Sequence, residues 1–86
     1  VIAELFSSAF CGPRRTARTV VGQAVRLVPQ ARVDEVDVAD ETARAEAADV
    51  RSTPTILVRT DDGTEVFRAA GAPTLPQLLA AMGRAV

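Results

Sequence analysis

With 86 residues, the chain has room for one small hydrophobic core, near the lower size at which a domain holds together without staples. Its single cysteine excludes an internal disulfide, its lack of histidine leaves little for a metal, and no apolar run approaches membrane-spanning length. A net charge of -1, with all ten basic residues arginine, gives no global attraction to nucleic acid or to an anionic membrane.

Val1 to Phe6 reads as a strand interrupted by Glu4, already under way at the first residue, as expected where native residues precede it. Ser7-Ser8 loosens the chain ahead of Phe10-Cys11-Gly12-Pro13. Ala17, Val20, Val21, Ala24, Val25 and Val28 then recur at helical spacing, with Gly22 costing roughly 1 kcal/mol inside that helix and Pro29 ending it. Arg32 to Val38 alternates as a strand with one wet face, its acids and Asp40 and Glu41 facing water. Asp40 is the expected cap of a short alanine-rich helix running to about Asp49. Thr55 to Val58 is a buried-type strand, Asp61-Asp62-Gly63 a hairpin turn, and Thr64 to Ala69 the returning strand. Thr74-Leu75-Pro76-Gln77 is a capping-box pattern, and Leu75, Leu78, Leu79, Met82 and Val86 form the apolar stripe of a final helix. The order β-α-β-α-β-β-α predicts an α/β fold: a four-stranded mixed sheet flanked by helices, in one domain over residues 1–86.

The segment that carries chemistry is Cys11-Gly12-Pro13-Arg14, set between a strand and a helix. A thiol there meets the positive end of the helix dipole, which favours the thiolate. Redox sites commonly place a second cysteine three residues on, where it resolves the mixed disulfide. Here that position is Arg14. Arg14 and Arg15, with Arg18 a turn later, add positive charge that lowers the thiol pKa and attracts an anionic thiol partner. They also break the rule that cations are unfavourable at a helix start, and broken local rules gather at functional sites. On the residues alone, a solvated arginine face and a small buried cysteine fit as well.

The element order and three local matches resemble the thioredoxin family in its shorter form. Phe10-Cys11-Gly12-Pro13 is similar to the family's active-site loop, Thr53-Pro54-Thr55 to its cis-proline loop, and Gly71 to the glycine that shapes its groove. The resemblance implies that Cys11 is the nucleophile, within a loop of Phe10, Gly12, Pro13 and Arg14. It also implies that Thr53, Pro54 and Gly71 form the substrate groove, with the Thr53–Pro54 bond cis. Two departures concern the same missing step. Leu5 stands where the family has a buried acid, and Glu35 falls near its lysine partner; that pair serves the resolving thiol, which this chain lacks.

The expected function is therefore thiol–disulfide exchange through one cysteine, resolved by an external thiol, in cell redox homeostasis. The alternative is a catalytically inactive module that holds extended peptides or proteins in the same groove. A third reading is an iron–sulfur cluster shared by two chains with an external thiol. The expected partner is a disulfide-containing protein or a low-molecular-weight thiol, with no nucleic acid, membrane, metal or other cofactor. A monomer is expected, with a Cys11-linked dimer on oxidation. Having no leader-like run and one cysteine sets a reducing cytoplasm as the expected compartment.

Overall fold

The computed structural model describes residues 1–9 and 12–86. In chain order its elements are β1 (Ile2–Ser7), α1 (Arg14–Leu27), β2 (Arg32–Asp37), α2 (Thr42–Ala47), β3 (Thr55–Arg59), β4 (Glu65–Ala70) and α3 (Leu75–Arg84). The strands form one sheet in the order β2-β1-β3-β4. β1 runs parallel to β2 and antiparallel to β3, and β4 returns antiparallel to β3. The expected architecture is the observed one.

Alternation along β1 gives the sheet two different faces. Ala3 and Leu5 join Ile56 and Val58 beneath α1 and α3, whose Ala17, Val21, Ala24, Leu78 and Met82 complete the larger core. Phe6 points the other way and packs with Val36, Leu57 and Ala45 of α2. Each of the fully buried Leu, Ile and Phe side chains contributes roughly 2 kcal/mol through removal from water. Because β1 is central and its register pairs Phe6 with both Val36 and Thr55, its C-terminal end at Ser7 lies between β2 and β3. Phe10 and Cys11 lie outside the described residues.

Two local expectations are corrected. Asp40 does not cap α2. The turn into that helix is built by Asp37, whose carboxylate accepts from the Ala39 N–H at 2.8 Å and whose carbonyl accepts from the N–H groups of Asp40 and Glu41 at 3.2 and 2.9 Å. Glu41 takes the N-cap position without a side-chain bond. Val86 is not part of the α3 stripe, because the helix ends at Arg84 and the helical period no longer aims the side chain; it is 77% exposed. The Thr74–Gln77 capping box forms as the sequence indicates, with both reciprocal bonds present. Among the described residues, no helix is long and apolar enough to cross a membrane.

Candidate functional site

Helix α1 opens on Pro13 at its N-cap, with φ -72° and ψ -1°, and no side chain caps it. No acid occupies its first turn. The first N–H groups of a helix have no partner within the helix, so this end presents uncompensated donors. Arg14, Arg15 and Arg18 add guanidinium groups to it. With Gly12 they line an open concavity of about 290 Å³.

Glu35 of β2 is the counterion of this group. The Arg18 Nε and Nη2 donate to its two carboxylate oxygens at 2.7 and 2.9 Å, a bidentate pair. Arg14 donates more loosely to Oε1, at 3.4 and 3.3 Å. The hydrogen bond from Arg18, aided by the charges of Arg18 and Arg14, holds the Glu35 carboxyl below the usual glutamate range, against a smaller effect of burial. The Arg18 guanidinium is raised in turn, first by that hydrogen bond. Register explains the meeting. Leu5 is the Cα partner of Glu35, so both face α1, where Arg14 and Arg18 share a side at i and i+4. Leu5 itself is buried in the core beneath α1. Glu35 therefore faces two arginines rather than only water, which the sequence reading missed; the available signal was an acid at the expected lysine position together with Arg14 at the expected thiol position.

The other site residues meet at the start of β3 and the end of β4. The Thr53–Pro54 peptide is cis, Pro54 is buried, and Thr53 is half-buried. The Thr55 hydroxyl donates to the Ser52 carbonyl at 2.7 Å and closes this loop. Gly71, with φ +92°, sends its N–H to the Pro54 carbonyl at 2.7 Å. A Cβ at Gly71 would meet open space, so the left-handed backbone rather than crowding calls for glycine there. From Gly71 the chain passes through Pro73 to Thr74, and these two residues share a groove of about 430 Å³ with Arg15, Thr16 and Thr19 of α1. The hydrogen bond thus ties Gly71 to the buried Pro54, and the groove sets Pro73 and Thr74 against the first turns of α1. Gly12 and Pro13, just ahead of α1, are exposed.

A second charged cluster lies on the opposite face of the sheet. Glu4, buried on β1, accepts from Arg44 of α2 at 2.7 Å and from Arg59 of β3, and Arg44 also bonds Asp34 of β2. The Arg44 guanidinium is raised, first by Asp34 and then by Glu4. Among the described residues, no group of three or more candidate ligands could hold a metal ion.

No family model matches the chain, and no curated protein matches it. Solved structures do. A thioredoxin from Fasciola hepatica is 28% identical and superposes with a TM-score of 0.82, covering 99% of this chain and 80% of that one. The germline-specific thioredoxin Deadhead of Drosophila melanogaster is also 28% identical, with a TM-score of 0.80 over 99% of this chain and 80% of that one. The oxidised form of mitochondrial thioredoxin 3 from Saccharomyces cerevisiae is 20% identical, with a TM-score of 0.82 over 95% and 76% of the two chains. By strand order, helix placement and these likenesses, the chain is a thioredoxin-like α/β domain in fold.

Proposed function

We propose that residues 1–86 act as a single-domain thiol–disulfide oxidoreductase that works through Cys11 alone. The Cys11 thiolate attacks one sulfur of a disulfide, forming a mixed disulfide and releasing the other sulfur as a thiolate. An external thiolate then attacks the partner's sulfur, which frees Cys11 and leaves the partner joined to the external thiol. The observation that carries this reading is the start of α1: an uncapped helix end without an acid, bearing three arginines, immediately after the only cysteine. Both features favour a thiolate. Likeness to thioredoxins at 28% identity supports redox work on disulfide partners in general. The one-thiol mechanism rests on Arg14 standing where a resolving cysteine is otherwise found. Thr53, Pro54 and Gly71 form the groove for the disulfide-bearing segment, the reducing cytoplasm is the working compartment, and oxidation without a partner gives a Cys11-linked dimer.

The test is the pH dependence of Cys11 alkylation, with mass spectrometry of adducts formed in cell extract. A midpoint at least one unit below the free-thiol value of about 8.5, and adducts removed by reductant, are expected. A thiol that titrates near that value and ignores disulfide reagents overturns the reading. The pairing of Arg14 with Glu35 favours one second reading, a non-catalytic binding module whose former thiol position has become a fixed charge. Unchanged partner binding by Cys11→Ser supports the module; loss of trapped adducts supports the chemistry.

A further inference from the structure

Most ion-paired arginines elsewhere in the molecule are closed off by matched acceptors. Arg44 and Arg59 converge on Glu4, and Arg68 is held by Glu65 and by the carbonyls of Ala48 and Asp49. The concavity at Gly12, Arg14, Arg15 and Arg18 differs in kind. Among the described residues its lining contains three guanidinium groups and no carboxylate, and the one acid paired with them, Glu35, reaches only Arg14 and Arg18. Arg15 is exposed and makes no ion pair among the described residues.

We infer that this concavity is an anion-recognition site that selects disulfide partners carrying carboxylates beside the sulfur, in a small molecule or in an acidic peptide segment. The inference rests on the oxidoreductase reading for its reaction, but not for its binding. Each guanidinium has five N–H donors in a planar fork, and Glu35 uses two from Arg18 and two from Arg14. The remaining donors are free of Glu35 and suited to bidentate capture of a second carboxylate. Glu35 also fixes two long side chains in place, so a ligand loses less affinity to ordering them. It does not neutralise the site, because three positive charges face one negative. The concavity, about 290 Å³ and open to solvent, has room for a carboxylate group. Specificity arises as a difference. A carboxylate near the sulfur gains contacts there, while a neutral partner must leave the guanidinium groups to water.

Two measurements on the full chain test this. In the first, citrate is titrated into the Cys11→Ser variant while the arginine Nε–H resonances are followed by NMR. Shifts at Arg14, Arg15 and Arg18 but not at Arg26 or Arg51, weakening with salt and at least about tenfold in Arg15→Glu, are expected. In the second, wild-type rates are compared for the disulfides of acetyl-Glu-Cys-Glu-amide and acetyl-Gln-Cys-Gln-amide, and for dithiobis(nitrobenzoate) and dithiodipyridine. Each pair is normalised to N-acetylcysteinamide. The expected preference for the carboxylate member is about tenfold at low salt, lost in Arg15→Glu. A change in thiolate reactivity alone would alter both members alike, so the ratio reports recognition. Preference in only the peptide pair or only the aromatic pair identifies the source of the carboxylate. Absent shifts together with equal normalised rates overturn the inference. Citrate shifts with a thiol inert to all four disulfides uphold the anion site and overturn the oxidoreductase reading instead.

Discussion

On the α2 side of the sheet, Glu4 is buried on the central strand and is met by Arg44 and Arg59. On the α1 side, Glu35 stands on the edge strand β2, about a third exposed, and is met by Arg14 and Arg18. Both acids hold two arginines, yet their positions in the sheet give them different tasks. A charge on a central strand is desolvated, so its partners must match it closely. At an edge, water screens the pair and leaves it a small net effect on stability. Unbalanced positive charge is affordable only there. The cluster around Glu4 ties three strands to α2, whereas the cluster around Glu35 shapes a charged surface.

The largest expected effect comes from giving the α1 face a buried acid of its own. Leu5→Asp should cost about 3–5 kcal/mol in urea unfolding, through lost apolar burial and a carboxylate in the core. A loss below about 1 kcal/mol would mean that Arg14 turns inward to meet it, and would erase the contrast between the faces. Glu4→Gln comes next, at about 2–3 kcal/mol, because Arg44 and Arg59 lose a charged acceptor in a largely buried setting. Glu35→Gln should change stability by less than about 1 kcal/mol. Its readout is kinetic: reaction of Cys11 with an anionic disulfide should quicken roughly two- to fivefold as the counter-charge disappears. A loss of stability equal to that of Glu4→Gln would break the comparison. The smallest effect concerns pH. The Glu35 carboxyl is depressed from its ordinary value of 4.5, so its stabilising contribution is complete above that value and fades as pH falls through the lower folded value. The difference in unfolding midpoint between wild type and Glu35→Gln should therefore shrink below pH 4.5.

Much of this molecule is legible along the chain. The valines and alanines of α1 recur at 3.6-residue spacing, Thr74 and Gln77 announce α3, and Asp61-Asp62-Gly63 marks the hairpin. These signals are local, so neighbours in sequence decide them. The charged clusters are not local. Glu4 reads as a flaw in an apolar strand because its partners lie 40 and 55 positions away and are brought to it only by sheet register. Glu35 is likewise paired with Leu5 and aimed at α1 by a register that periodicity does not encode. Asp40 was a sound cap by residue type, but Asp37, three residues earlier, had already made the turn. In the candidate site, the exposed start of α1 and the Pro54–Gly71 region were readable from their glycines and prolines. The pairing that shapes the arginines was not.

The hydrogen bond from Gly71 to Pro54 has a consequence for the hairpin it closes. At the far end, the Thr60 N–H donates to the Thr64 carbonyl at 2.9 Å, so β3 and β4 are fastened at both extremities. The exposed tip at residues 61–63, whose Asp61 pairs with the Val1 ammonium, is then not needed to hold β3 to β4. New chain ends placed there would leave each strand bound to the other along its length, and a circularly permuted chain opened at Asp62 would keep the Pro54–Gly71 junction intact.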